Sequence, residues 1–346
     1  MYQAYFGLDK TPFPMTPDPG CVYLTSQHAE AISGLVFGIL DRKGYLLLTG
    51  EAGLGKTTAL TAALQLVTKS KVQSSLILNP ALSTNEFLEA VMLDFGMDNI
   101  PESKAQRLRM LQSFLLRGDA EGRVSVVIID EAHKLSVELL EEIRLLGNFD
   151  FADHKLLQIV LVGQNELGPM LNRDDLRQLK QRIAIRLSLR PLDRDGVGHY
   201  IQFRWKKAGG TGPAPFSVEA VEGINRWSQG IPRLINAICD NALLLAFAEE
   251  SHSVEASQVW EASRDLDLTA GAKPTTNGKP VLAAAPNGAP AAPPVPRAEQ
   301  LVAPEPGGYR LPSDGKSLRT LETYYPQQRS FLSRWLRPRK PGEVAL

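Results

Sequence analysis

The run GEAGLGKT, Gly50 to Thr57, carries glycine, lysine and threonine at every fixed position of the pattern G-x-x-x-x-G-K-[ST]. Glycines let a loop turn its backbone N–H groups toward phosphate oxygens, because no Cβ obstructs the approach, and a helix starting there adds the positive end of its dipole. The expected phosphate-binding set is Gly50, Glu51, Ala52, Gly53, Leu54, Gly55, Lys56, Thr57 and Thr58. In such a loop the lysine, Lys56, reaches the β- and γ-phosphates and the hydroxyl of Thr57 holds a divalent ion, so ATP and Mg²⁺ are the expected cofactors.

A second constellation lies in VSVVIIDEAH, Val124 to His133, where an apolar strand ends in two carboxylates. A carboxylate at such a strand tip, beside the phosphate loop, can orient the Mg²⁺ shell, and its neighbour can polarise a water for in-line attack on a γ-phosphate. Asp130 is the expected metal residue and Glu131 the expected base, which makes the chain an expected ATP hydrolase. The letters DEAH also occur in a helicase box, but a helicase of that type needs a second recombinase-like domain, and the helical sequence after Pro191 does not supply one. The N-K-x-D string of GTPases and the L-S-G-G-Q string of transporter ATPases do not occur.

These residues need a scaffold that brings separate strand ends together. Nearly all-apolar runs at Gly44–Leu48, Ser75–Leu78, Ser125–Ile129, Leu157–Val162 and Ile183–Leu189 alternate with helical segments such as Thr57–Thr68 and Val137–Leu146. Strands buried on both faces and separated by helices predict an α/β fold with a parallel sheet. After Pro191 the strands stop, and helical periodicity predicts helices near Arg194–Lys207, Val218–Ser228, Pro232–Ala248 and Glu255–Asp265. Ser217 and Ser253 stand where N-caps belong, and Gly230 lies just past a helix end. The expected organisation is an α/β nucleotide-binding domain over 1–191, a helical lid over 192–268, a Pro/Ala-rich disordered linker over 269–315 and a basic amphipathic tail over 316–346.

Composition limits the alternatives. Of 346 residues, 43% are hydrophobic and 22% charged, enough apolar sequence for a sizeable core, and 38 Lys+Arg balance 38 Asp+Glu. Neutral charge argues against a surface given over wholly to nucleic acid. Cys21 and Cys239 form neither a metal spacing nor a disulfide framework, which points to a reducing compartment. The opening residues have no basic start with an apolar stretch, and no apolar run reaches the roughly 18 residues of a membrane span. The expected location is the cytoplasm.

The order of motifs resembles the AAA+ ATPases, a P-loop sheet followed by a helical lid. That resemblance implies three further roles. Gln164, which ends the apolar strand in LLQIVLVGQNEL, matches sensor 1. Arg233, opening a lid helix in GIPRLIN, matches sensor 2. Arg182, before the last strand in LKQRIAIRL, matches the arginine finger best, with Arg177 and Arg186 as competitors. A finger acts on a neighbouring subunit's nucleotide, so the resemblance implies a homo-oligomer.

The opening MYQAYFGLDKTPFPMTPDPGCVYLTSQHAEAISGL, with Tyr5-Phe6-Gly7-Leu8, Pro12-Phe13, Pro17-Asp18-Pro19, Tyr23 and His28, is similar to the ExeA/GspA-like family, the A-component ATPases of type II secretion and related envelope or pilus systems. The likeness covers about residues 1 to 268 and implies an envelope-assembly protein partner. In that family the segment from Tyr23 to His28 flanks the adenine, which implies His28 in the base pocket. Members that act in secretin assembly follow the ATPase with a transmembrane helix and a peptidoglycan-binding domain, whereas this sequence continues into Pro/Ala-rich residues. DNA-acting AAA+ regulators of the transposition target-selection type share the same core motifs and form the alternative, with Arg107, Arg109, Arg117, Lys69 and Lys71 as residues that could meet nucleic acid. The tail sets Lys316, Arg319, Arg329, Arg334, Arg337, Arg339 and Lys340 beside Phe331, Leu332, Trp335 and Leu336, a pattern suited to peripheral contact with the inner membrane or to a partner.

Overall fold

The structure is a computed structural model, and it describes residues 2–16, 23–67, 70–78 and 82–268. The linker and tail, together with Pro17, Asp18, Pro19, Cys21, Thr68 and Lys69, lie outside the described residues.

Five strands form one parallel sheet: β1 (Tyr45–Thr49), β2 (Val72–Ile77), β3 (Val124–Ile129), β4 (Leu157–Gly163) and β5 (Ile183–Ser188), in the order β2-β3-β4-β1-β5. β3 and β4 are buried at every position, and four of the five residues of β1 are, as continuous apolar runs require when helices cover both faces. β2 and β5 are edge strands and alternate, with Ser74 and Leu76 of β2 and Ala184, Arg186 and Ser188 of β5 exposed. Polar residues can therefore enter the edge strands. β2 accordingly begins at Val72, three residues before the apolar run starts, and Asp94 Oδ2 accepts from the Leu76 N–H on its open side at 3.0 Å.

Two hydrophobic layers sandwich the sheet. On one face the helices Ser26–Leu40 and Lys56–Val67 bury Leu35, Ile39, Leu60 and Ala63 against Leu46, Leu48, Val126 and Val160. On the other, the helices Thr84–Asp94, Lys104–Ala120 and Val137–Leu146 bury Phe87, Met92, Leu111, Leu140 and Ile143 against Leu47, Val127, Ile159 and Leu161. Alternate residues of one strand thus serve opposite layers.

A third cluster belongs to four helices, Arg194–Lys207, Val218–Ser228, Pro232–Ala248 and Ala256–Asp265. Asp193 and Ser217 cap the first two through the N–H groups of Gly196 and Ala220, and Pro232 occupies the first turn of the third. Ser253 is not the N-cap of the last helix. Glu255 is, in a capping box with Gln258, because the chain first makes a bridge from Val254 to Phe216 and enters the helix only afterwards.

The opening segment packs with this helical layer. Tyr2, Leu8 and Phe13 are buried in its cluster, the Arg204 Nε–H donates to the Pro12 carbonyl at 2.9 Å, and the Tyr5 ring stacks on His252 at 4.4 Å. Tyr23 then packs against Tyr200 and Phe203 before the chain turns into the helix at Ser26. Among the described residues no helix is long and apolar enough to cross a membrane.

Candidate nucleotide site

Strand register brings the site together. Thr49 of β1 pairs with Gly163 of β4, and Leu161 of β4 pairs with Ile129 of β3, so the three strands end side by side. Gly50, Asp130 and Gln164 each follow one of those ends, at the carboxyl edge of the sheet where open α/β folds bind ligands. β4 lies between the other two and sets Gln164 between the glycine-rich loop and the acidic tip.

The loop has the backbone that its glycines predict. Gly53 and Gly55 have φ of +85° and +88°, a region that costs other residues on the order of 1 kcal/mol. A Cβ at Gly53 would stand 2.7 Å from the Cβ of Arg233, so the start of the third lid helix rests directly on the loop. Lys56, 6% exposed, donates from Nζ to the carbonyls of Gly50 at 2.8 Å and Glu51 at 2.9 Å. Burial pushes its ammonium below the ordinary value, and the carboxylates of Glu131, Asp130, Glu166 and Glu51 oppose that fall.

The acidic tip meets the loop at one atom pair. Thr57 Oγ1 donates to Asp130 Oδ2 at 3.1 Å, while Asp130 Oδ1 accepts the Glu131 N–H at 2.8 Å and the carboxylate is 7% exposed. Glu131 itself sits at φ +54°, a left-handed turn that takes the chain out of β3 into a short 3₁₀ turn over Ala132–Lys134. That turn brings Lys134 Nζ to 3.0 Å and His133 Nε2 to 3.6 Å from Glu131 Oε2. Partial burial would raise the Glu131 carboxyl, but the hydrogen bond and charge of Lys134, with His133 and Lys56, outweigh it and hold the group below its ordinary value.

His133 joins this group to the next strand. Its Nδ1 accepts the Gln164 N–H at 3.3 Å, so the proton resides on Nε2, facing Glu131. Neither His133 nor Lys134 was singled out from the sequence. Their signal was position, two and three residues beyond a strand-end Glu, within reach once a tight turn follows.

The remaining expected residues divide. Arg233 is exposed above the loop. Arg182 donates from Nη1 to the Arg144 carbonyl at 2.9 Å and to Asn148 Oδ1 at 2.7 Å, closing the end of the helix Val137–Leu146, and Arg186 donates to the Lys180 carbonyl at 2.8 Å. Arg177 is exposed at the start of the helix Arg177–Arg182; its backbone N–H donates to the Asp174 carbonyl, and its guanidinium makes no hydrogen bond or ion pair to any described residue. His28, placed by the resemblance in a base pocket, has both ring nitrogens engaged elsewhere: Thr25 Oγ1 lies 2.8 Å from Nδ1, and the Leu54 carbonyl of the loop 3.0 Å from Nε2. Of the basic residues that could meet nucleic acid, Arg107 is buried, bonded to the carbonyls of Pro101 and Asn85 and paired with Glu89.

These groups fit a nucleoside triphosphate with Mg²⁺: glycines that free backbone N–H groups, a buried lysine inside the loop, and a hydroxyl and carboxylate already paired across it. Residues 39–171 match the AAA domain family. The chain is 43% identical over 258 residues to General secretion pathway protein A of Aeromonas hydrophila, a match covering 73% of this chain and 46% of that protein. It is 27% identical over 226 residues to ATP-dependent target DNA activator B of Escherichia phage Mu, covering 64% of this chain and 66% of the relative. The chain thus spans less than two thirds of the length of either relative. Among solved structures, Cdc6p from Pyrobaculum aerophilum superposes with a TM-score of 0.56 at 17% identity, covering 72% of this chain and 70% of that one, a likeness of fold. With its parallel P-loop sheet and helical lid, the chain has a fold of the AAA+ type, carries an AAA domain over residues 39–171 and is a relative of General secretion pathway protein A.

Proposed function

We propose that the chain binds ATP with Mg²⁺ and hydrolyses it to ADP and phosphate, driving oligomerisation or remodelling of an envelope or secretion-type assembly. The observation that carries the reading is the hydrogen bond from Thr57 to Asp130, which joins the glycine loop to the acidic strand tip with Glu131 next in sequence.

In this reading the N–H groups of the loop and the Lys56 ammonium hold the phosphates, and Thr57 with Asp130 holds Mg²⁺, which supplies charge neutralisation on the phosphate oxygens when bound. Glu131 accepts a proton from the attacking water. Lys134 pairs with its Oε2 at 3.0 Å, so the second carboxylate oxygen, Oε1, takes that proton. Gln164 orients that water from the neighbouring strand, and Arg233 links lid position to the loop. Arg177, the one candidate finger whose guanidinium has no partner among the described residues, is best placed to act on a neighbouring copy, while the guanidinium groups of Arg182 and Arg186 are held by carbonyls.

The relationship to General secretion pathway protein A supports the secretion setting, and a cytoplasmic location peripheral to the inner membrane is part of the proposal. The relationship to a target DNA activator supports a second reading, an ATP-dependent DNA-binding regulator. One assay separates the two: ATP hydrolysis by the full chain with and without double-stranded DNA over a salt series, with Glu131→Gln as control. Turnover that requires Glu131 and ignores DNA supports the envelope reading. Stimulation that falls steeply with salt supports the DNA reading, and turnover unchanged in Glu131→Gln refutes the site.

A further inference from the structure

We propose that His28 is a positioning residue for the glycine loop: by donating to the Leu54 carbonyl it fixes the direction in which the Gly55 N–H points. The inference rests on the nucleotide-binding reading above and adds a residue outside the loop to it.

His28 lies in the first turn of the helix Ser26–Leu40 and is 8% exposed. A carbonyl oxygen only accepts, so the 3.0 Å contact from Nε2 to Leu54 O places the ring proton on Nε2. Nδ1 then accepts from the Thr25 hydroxyl at 2.8 Å, and the same hydroxyl oxygen caps the helix by accepting the His28 N–H at 3.3 Å. Thr25 thus fixes both the helix start and the tautomer. Burial holds the imidazole below its ordinary pKa, partly opposed by the bond to Leu54, which keeps the ring neutral near pH 7.

The Leu54 carbonyl and the Gly55 N–H belong to one trans peptide, whose two dipolar groups point in opposite directions. Holding the oxygen on the side of His28 therefore commits the N–H to the other side. That N–H immediately precedes Lys56, whose ammonium is bonded to the carbonyls of Gly50 and Glu51. The fit is close from both partners. Gly55 needs its positive φ, and a Cβ there would stand 3.0 Å from His28 Nε2, so the imidazole and the glycine occupy complementary space. Nothing in the pattern G-x-x-x-x-G-K-[ST] names a residue 22 positions before its start, yet the helix Ser26–Leu40 packs on the helix that follows the loop and brings His28 there.

The test compares binding of a fluorescent ATP analogue by the full chain as wild type, His28→Gln and His28→Met, with the melting temperature of each. Gln retains an N–H donor at similar reach, whereas Met retains bulk without a donor. The expected result is affinity weakened about tenfold in His28→Met, the loss of one hydrogen bond to a critical carbonyl, and restored to within about threefold in His28→Gln. Wild-type affinity in His28→Met, or equal loss in both variants when both melt like the wild type, overturns the inference. A measurement independent of any variant is the ¹⁵N imidazole spectrum of the wild type at pH 7.5: an Nε2–H tautomer for His28 supports the proposal, and an Nδ1–H tautomer overturns it. Failure of the wild type to bind the analogue defeats the nucleotide reading itself, whereas binding by wild type and His28→Met alike defeats only the role of His28.

Discussion

Thr57 Oγ1 lies 3.1 Å from Asp130 Oδ2, bridging the start of the loop helix and the end of β3 although 73 residues separate them in the chain. Both ends are fixed independently, one by the glycine turn and the other by strand register, so the pair measures how well the two halves of the site are aligned. Asp130→Asn keeps the shape and removes the charge that would hold Mg²⁺. We expect turnover to fall on the order of 10²-fold or more, the scale seen when one preorganised charge-stabilising group is lost, while nucleotide binding without added Mg²⁺ persists. Steady-state ATPase rates beside Mg²⁺-free titrations check this.

Lys134 holds the Glu131 carboxyl down, so its removal has a defined sign. In Lys134→Ala the carboxyl rises toward its ordinary value. If Glu131 is the base, it must be deprotonated to act, and the acid limb of kcat against pH moves to higher pH in the variant. A limb that stays in place, or moves to lower pH, contradicts that role.

The three arginines before and within β5 are expected to separate by stability as well as by rate. Arg182 closes a helix through Arg144 and Asn148, so Arg182→Ala should cost about 1–2 kcal/mol and a few degrees of melting temperature. Arg177→Ala touches no described partner and should melt like the wild type while turnover drops on the order of 10³-fold. Adding Arg177→Ala protein to Lys56→Ala protein should restore part of the rate only if the finger acts between copies. Unchanged turnover in Arg177→Ala would return the role to Arg182 or Arg186.

His28 also makes a pH-dependent contribution to stability. Its folded pKa lies below the ordinary 6.5, so between those values the unfolded chain binds the proton and the folded chain does not. Stability therefore carries no penalty above about pH 6.5 and declines as pH falls from there toward the folded pKa. His28→Gln has no such group. The melting temperature of the wild type should fall more between pH 7.5 and 5.5 than that of His28→Gln, and parallel curves would contradict the burial argument.

Much of the scaffold was legible because its signals are local. Continuous apolar runs mark β1, β3 and β4, which are buried on both faces, and Gly50 to Thr57 with Asp130 and Glu131 mark the site at strand ends. β2 was legible only in its second half, since Gln73 and Ser74 lie on an edge strand, where polar residues are tolerated. The docking of Tyr2, Leu8 and Phe13 onto the lid cluster depends on contacts with residues some 190 or more positions away, such as that between Pro12 and Arg204, and no local period announces it. The partners of Arg182, Glu131 and His28 escaped for the same reason. A motif names a residue type at a position, whereas which oxygen its nitrogen reaches is decided by how helices pack.

The most direct test of the account is titration of the folded full chain with ATP and ADP by calorimetry, in parallel with Lys56→Ala at matched folding. Saturable binding of both nucleotides to the wild type, lost in the variant, is the expected result. Undiminished binding by Lys56→Ala, or no heat from the wild type at millimolar nucleotide, would contradict it.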